Sequence, residues 1–191
     1  FSRDNGIGNL EFLSCIPGSI GGAIIMNSGC YGYEISKFLV SINVIDIKDC
    51  KEKEIKREQI KFFYRGTNLP SEFIIVSAKL KGIKISKEDI QKKQNELIER
   101  KKISQPSQIK TCGSTFKNLN NEKKAWQLIK ETGCDQLTEG DAMISKKHCN
   151  FFVNNGKAKS SDIEKLINKV QKAVSIKAGV NLELEIKIIG D

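Results

Sequence analysis

The chain has 191 residues, enough for one domain or two small ones with an apolar core, and its 39% hydrophobic and 29% charged residues are a globular balance that excludes disorder and fibrous folds. No apolar run approaches the ~20 residues needed to cross a bilayer and no signal-peptide pattern opens the chain, so a soluble, cytoplasmic protein with no membrane partner is expected. Lys and Arg outnumber Asp and Glu by 32 to 23, a net charge of +9, but the lysines are spread along the chain among abundant Ile and Asn. That spread is the mark of AT-rich coding rather than of a phosphate-binding patch, so no nucleic-acid partner is expected.

Residue 1 is Phe rather than Met, and Phe1–Gly8 reads as the end of a helix with its glycine stop, as in a piece of a longer protein. Residues 10–33 are rich in small side chains and lead into a short apolar stretch, Ala23 to Met26, of helical character. Phe38–Ile47 turns to an apolar/polar alternation that predicts a half-buried strand, with a turn at Lys48-Asp49 and a second strand after it. The β-branched run Phe73–Leu80 predicts another strand. Ser86-Lys87-Glu88-Asp89 resembles a capping box opening a helix to about Lys102, with Ile90, Leu97 and Ile98 on its apolar face and Pro106 beyond its end.

From about Gln105 the composition changes to Thr, Cys, Gly and Ser, and a domain boundary is placed there: 1–104 and 105–191. A short helix is expected from Glu122 to Thr132, with Trp126 and Ile129 inward and Gly133 as its stop. A buried strand follows at Asn150–Asn154. Ser161 and Glu164 predict the capping box of a helix to about Lys177, since Ile163, Leu166, Ile167, Val170 and Val174 keep a 3.6 period. Leu182–Ile188 alternates strictly and predicts a closing strand with Glu183 and Glu185 on one face. The class is α+β with mixed or antiparallel sheet.

Several constellations could carry chemistry. The six cysteines, Cys15, Cys30, Cys50, Cys112, Cys134 and Cys149, include no C-x-x-C pair, and one His is too few for a mixed Cys/His centre, so no metal site is expected. Pro17-Gly18-Ser19-Ile20-Gly21-Gly22 is neither a P-loop nor a G-x-G-x-x-G turn. Its backbone N–H groups could cradle a diphosphate ahead of a helix, or it could be a tight turn under packed strands. Arg65, after Tyr64 and before Gly66, could offer its fork to a carboxylate, although stacking on Tyr64 at a sheet edge is the commoner use. Thr111-Cys112-Gly113-Ser114-Thr115-Phe116-Lys117-Asn118 gathers a hydroxyl, a cation and an amide, but it is not G-x-S-x-G, and taken alone a capped turn explains it better. Of Glu183 and Glu185, one could enter a cleft; a solvated strand face is the alternative. His148 has no carboxylate near it in sequence and suits a hydrogen-bond donor better than a base.

The order of these blocks carries more than any one of them. Leu10–Ala23, Met26–Gly32, Tyr64-Arg65, Gly113–Asn118, Ser145–His148 and Leu182–Ile186 together closely resemble the UDP-N-acetylenolpyruvoylglucosamine reductase (MurB) family, over essentially all 191 residues. The short spacing between Tyr64-Arg65 and Ser114 is similar to the type II form, which lacks an inserted substrate-covering loop.

The resemblance implies the second lobe of a vanillyl-alcohol-oxidase-type FAD-binding region, followed by a substrate domain with a closing strand. It implies FAD as cofactor, NADPH as reductant, and reduction of the enolpyruvyl UDP-sugar to UDP-N-acetylmuramate, a peptidoglycan precursor step that serves cell-wall biogenesis, cell shape, cell cycle and division. By motif, Arg65 is the cation against substrate carboxylate and developing enolate, Glu185 the acid sharing in that stabilisation, and Ser114 the general acid. Pro17, Gly18, Ser19, Gly21 and Gly22 match the segment that lies against FAD, while Tyr64, Lys117, Asn118 and His148 fall at substrate-binding positions. Three features depart from the family. Leu119 stands where proline usually follows Asn118, cysteines stand at 15, 30 and 112 where Gly or Ala is usual, and the N-terminal FAD lobe is missing from these residues. A separately supplied lobe is therefore an expected partner, and the alternative is a non-catalytic product of a split or decayed gene that cannot hold FAD.

Overall fold

The largest hydrophobic clusters fall one in each of two units, Phe1–Lys101 and Lys102–Asp191. The computed structural model describes residues 1–119 and 123–190. Among them the architecture is mixed α/β and the strands pair antiparallel.

In the first unit, residues 1–6 form one turn that closes as helices do. Ile7 N–H donates to the Ser2 carbonyl at 2.8 Å and Gly6 N–H to that of Arg3 at 3.0 Å, with Gly6 at φ +65°. The expected helix end is thus a single closed turn, leading into β1 (Ile7–Gly8). Helix α1 (Ile20–Ile25) starts at Ser19, whose hydroxyl accepts from Gly22 N–H at 3.1 Å, and it buries Ile24 completely. Strands β2 (Gly29–Cys30) and β3 (Tyr33–Glu34) form a hairpin so tight that a Cβ on Gly29 would sit 2.2 Å from the Tyr33 carbonyl oxygen. Strand β4 (Leu39–Asp46) is central in a three-stranded sheet, flanked by β5 (Lys51–Lys56) and, after the small hairpin β6 (Phe62–Phe63) and β7 (Gly66–Thr67), by β8 (Phe73–Leu80). Its inward residues Leu39, Ile42 and Val44 pack with Ile24, Ile35 and Ile60, each full burial contributing about 1.5–3 kcal/mol.

Strand β9 (Ile83–Lys84) pairs with β1, and helix α2 (Lys87–Ser104) follows. The capping expected at its start is present: Asp89 N–H donates to the Ser86 hydroxyl at 3.0 Å, which in turn donates to the Asp89 carboxylate at 2.6 Å. Only Ile90 and Leu97 of this helix are buried, as its mostly polar circumference requires.

The second unit is a four-stranded sheet in the order β10 (Lys110–Ser114), β13 (Phe151–Asn154), β12 (Ala142–Ile144), β11 (Thr138–Glu139), with α3 (Ala125–Glu131) and α4 (Ser160–Ala178) contributing to its core. Leu166, Ile167, Val170 and Val174 of α4 are buried with Phe116, Ile129, Ile144 and Phe152, as the 3.6 period predicts. Trp126 and Ile129 of α3 turn to this core, and Glu122, the expected first residue of that helix, lies outside the described residues.

Three local expectations are corrected. The cap of α4 is not Ser161 with Glu164: the helix starts one residue earlier, and Lys159 N–H donates to the Asp162 carboxylate at 2.9 Å. The segment around Cys112 is not a capped turn but the strand β10, broken near Gly113 where the pairing register shifts. The closing strand Leu182–Ile188 shrinks to one bridge, Phe116 with Leu184, although its inward alternation survives in Leu182, Leu184 and Ile186 packed on the core. Among the described residues no helix is long and apolar enough to cross a membrane.

Candidate functional site

In the first unit, Pro17, Gly18, Ser19, Ile20 and Gly22 line a hollow of about 260 Å³ bounded also by Leu13, Ile16 and Met26, with no charged side chain in its wall. The glycines of this segment have different surroundings. Gly21 faces β8, where a Cβ would meet Ile75 at 3.4 Å, an ordinary contact. Gly18, at φ +129°, would place a Cβ in open space with no atom within 4 Å. Packing thus requires glycine at neither position, and at Gly18 the backbone lies bare to the hollow. Beside it, the first-turn amides of α1 precede any helical acceptor, and Ser19 satisfies only that of Gly22.

Arg65 occupies the two-residue turn between β6 and β7 and itself takes the left-handed conformation, φ +58°, rather than Gly66. Its guanidinium carbon lies 4.7 Å from the Tyr64 ring centroid, the stacking anticipated for such a pair, and Nη2 donates to the Gly29 carbonyl at 3.4 Å. A non-glycine residue in this region costs about 1–2 kcal/mol, strain of the kind that surrounding structure must hold. The holder is Asn27, a residue that sequence reading passed over. Buried at φ +42°, it donates to the Phe63 carbonyl at 3.0 Å and the Glu34 carboxylate at 3.2 Å, tying the β6–β7 hairpin to β3. Nothing in its local sequence signals the tie to the β6–β7 hairpin, because Phe63 lies 36 residues away.

Cys15 and Cys30 share a small buried cluster with Phe12 and Leu97. Burial, with Cys15 adjacent, pushes the Cys30 thiol up to about 11, so it packs as a neutral thiol and donates to the Phe12 carbonyl at 3.5 Å.

In the second unit, Ser114, Lys117, Asn118, His148 and Glu185 gather around one backbone segment. Gly113, at φ +86°, makes the break in β10 that leads into Ser114. Beyond it, Thr115 accepts from Glu185 N–H at 2.9 Å, and Lys117 N–H donates to the Glu183 carbonyl at 2.8 Å. Ser114 and Glu185 are therefore carried on directly hydrogen-bonded backbone. Of the two glutamates, Glu183 is the solvated one, ion-paired to Lys117 Nζ at 3.3 Å, while Glu185 is half-buried. Asn118 spends its side-chain oxygen accepting from Ala125 N–H, at 3.2 Å, at the start of α3.

On the other side of the segment stands Asn150, 2% exposed. Its side chain accepts from Phe116 N–H at 2.9 Å and donates to the Phe116 carbonyl at 2.8 Å, and its own carbonyl accepts from Thr115 N–H at 2.7 Å. Asn150 N–H in turn points to His148 Nδ1 at 3.3 Å, which leaves the proton of a neutral imidazole on Nε2. The ring packs on Phe151 at 4.9 Å and faces Trp126 at 6.4 Å. Burial, with a smaller contribution from Lys124, holds its pKa below the ordinary imidazole value. In its neutral form His148 can therefore offer the Nε2–H as a donor. Among the described residues no group of His, Cys, Asp and Glu is placed to hold a metal ion.

Comparison with known proteins places this geometry in context. The family model for the UDP-N-acetylenolpyruvoylglucosamine reductase C-terminal domain matches residues 105–189. A UDP-N-acetylenolpyruvoylglucosamine reductase of Pelagibacter ubique is 46% identical over 191 residues, covering 99% of this chain and 63% of its own length. One of Wolbachia pipientis is 45% identical over 190 residues, covering 100% and 64%. The crystal structure of the Thermus caldophilus UDP-N-acetylenolpyruvylglucosamine reductase superposes with a TM-score of 0.86 at 34% identity, over 97% of this chain and 66% of that one. The chain thus spans just under two thirds of the length of these relatives.

Proposed function

Because this chain belongs to the UDP-N-acetylenolpyruvoylglucosamine reductase family, we propose that it carries the substrate-handling part of a flavin-dependent reductase that acts on an enolpyruvyl UDP-sugar with NADPH as reductant. Residues 1–104 are read as the second FAD-binding lobe with its connecting helix and 105–191 as the substrate domain. A further flavin-binding lobe, in the same polypeptide or another, completes the cofactor site.

The hollow at Pro17–Gly22 fits part of such a cofactor. At about 260 Å³ it is smaller than the ~300–1,000 Å³ of a whole small-molecule site, but its bare backbone at Gly18, its place at the start of α1 and its wall free of carboxylates suit part of a diphosphate. Pro17, Gly18, Ser19 and Gly22 line it, whereas Gly21, matched to the same cofactor segment, faces Ile75 instead. Bound flavin supplies the two-electron reducing equivalent for the carbon–carbon double bond of the enol ether.

The rest falls to side chains of this chain. Arg65 holds the substrate carboxylate through its planar fork, a task a lysine does poorly, and so opposes the negative charge that builds on the carboxylate side. Glu185 shares in that stabilisation as the acid group carried beside Ser114. Ser114 gives the final proton from its hydroxyl to the carbon that bears the carboxylate, and the proton must be restored to the oxygen at once because a serine alkoxide is a strong base. Tyr64, Lys117, Asn118 and the Nε2–H of His148 bind the UDP-sugar. The observation that carries this reading is the hydrogen-bonded pairing of the Ser114–Lys117 and Glu183–Glu185 segments, which holds the proton donor and the acid on one frame.

The test is single-turnover kinetics on the flavin-loaded enzyme that contains this chain. Ser114→Ala is expected to slow reduction of the enolpyruvyl sugar by ~10²–10⁴-fold, Ser114→Cys by less, and neither to change the rate at which NADPH reduces the flavin. A Ser114→Ala enzyme that reduces the sugar at the unaltered rate overturns the assignment.

A further inference from the structure

Asn150 has a place in the structure that packing alone does not require. A buried side chain amide can be satisfied by any donor and acceptor, but here both of its groups go to the same residue, Phe116, at 2.9 and 2.8 Å, as a strand neighbour's backbone would. With the Thr115 N–H to Asn150 carbonyl bond at 2.7 Å, three hydrogen bonds fix the two residues that follow Ser114. The same segment bonds outward to Glu185 and Glu183. Regular pairing of β10 with β13 ends at Ser114↔Phe151, just where the register has shifted at Gly113. Ordinary ladder bonds therefore stop at the point where Ser114 must be held, and Asn150 takes over from them.

We propose that Asn150 is the positioning residue of the Ser114–Glu185 pair: its two-bond clamp on Phe116 fixes the backbone on which the hydroxyl and the carboxyl are both carried. The inference rests on the reading of Ser114 as proton donor given above. It adds a residue that touches neither substrate nor flavin, acting only through Thr115 and Phe116. Because reacting atoms tolerate little displacement, loosening this frame costs rate before it costs binding.

The experiment compares Asn150→Ala, Asn150→Asp and, as a control of packing loss elsewhere in the same core, Leu166→Ala. In the flavin-loaded enzyme, Asn150→Ala is expected to slow single-turnover reduction of the enolpyruvyl sugar by ~10–100-fold while flavin reduction by NADPH and the affinity for the UDP-sugar change by no more than about twofold. Asn150→Asp, which keeps the acceptor for Phe116 N–H and loses the donor, should fall between Ala and the parent, and it serves if the Ala variant does not fold. Leu166→Ala should leave the sugar step unchanged. In the chain itself, amide exchange at Thr115, Phe116 and Glu185 should quicken in Asn150→Ala but not in Leu166→Ala. The proposal is overturned if the Asn150 variants keep the sugar step at the parent rate, if Leu166→Ala slows it equally, or if both half-reactions slow together. Ser114→Ala separates the two levels. If it slows the sugar step and Asn150→Ala does not, positioning alone fails; if Ser114→Ala has no effect, the reading beneath it fails too.

Discussion

His148 shows how an isolated titratable residue is set by its surroundings. Its ring is pressed between Trp126 and Phe151, and its Nδ1 accepts from backbone, so burial favours the neutral form. The folded-state pKa then lies below the unfolded one, and between the two values the unfolded chain binds more protons. Stability from this source is complete above the ordinary value of 6.5 and is lost as the pH falls through it toward the lower folded value. Denaturant midpoints measured from pH 8 to 5 should decline on the acid side more steeply for the parent than for His148→Asn; equal slopes would mean the ring is not held neutral. At the same scale, Arg65 and Asn27 both take positive φ, and Asn27 bonds the Phe63 carbonyl of the hairpin that carries Arg65.

Among the elements, α4 is the most informative because its periodicity and its cap disagree. Its apolar face is set by spacing and appears as expected, with Leu166, Ile167, Val170 and Val174 inside. The start is decided by which carboxylate can reach back to an N–H, and Asp162 reaches Lys159 at 2.9 Å while also bringing negative charge to the positive end of the helix. Asp162→Ala should therefore cost about 0.5–1.5 kcal/mol in urea unfolding, and Ser161→Ala only a few tenths. The reverse ranking would restore the Ser161 cap. The closing segment teaches the same lesson for strands. Its alternation is real and points Leu182 inward, yet a ladder needs a partner edge with matching register, and the segment finds only Thr115–Lys117 before diverging.

Taken whole, the molecule has separate cores in its two units, and its only tryptophan, Trp126, packs on the core of the second. Trp126 fluorescence therefore reports unfolding of that unit. Leu166→Ala, which opens a cavity at a fully buried site, should lower the fluorescence midpoint by the equivalent of about 2–5 kcal/mol, whereas Ile42→Ala in the other core should move circular dichroism more than fluorescence. Identical shifts by both probes for both variants would contradict separate cores. Net charge, by contrast, explains little at this scale: the lysines are mostly solvated or in exposed ion pairs such as Lys93–Glu96 and Lys123–Glu131, each worth at most about 1 kcal/mol.

The sequence by itself determined that helices and strands are combined, the long helices, strands β4 and β8, and the ordered motifs that carry the family resemblance, because hydrophobic period and motif order are properties of neighbouring residues. It also named Ser114, Arg65 and Glu185 as candidates. What it could not contain was which backbone groups meet across the chain. The Asn150 clamp joins residues 34 apart and the Asn27–Phe63 bond residues 36 apart. Such pairings arise only when packing has brought distant strands together, since a buried amide takes whichever partner the fold leaves unsatisfied. For that reason the frame that holds Ser114 and Glu185, unlike the residues themselves, was decided by the tertiary structure alone.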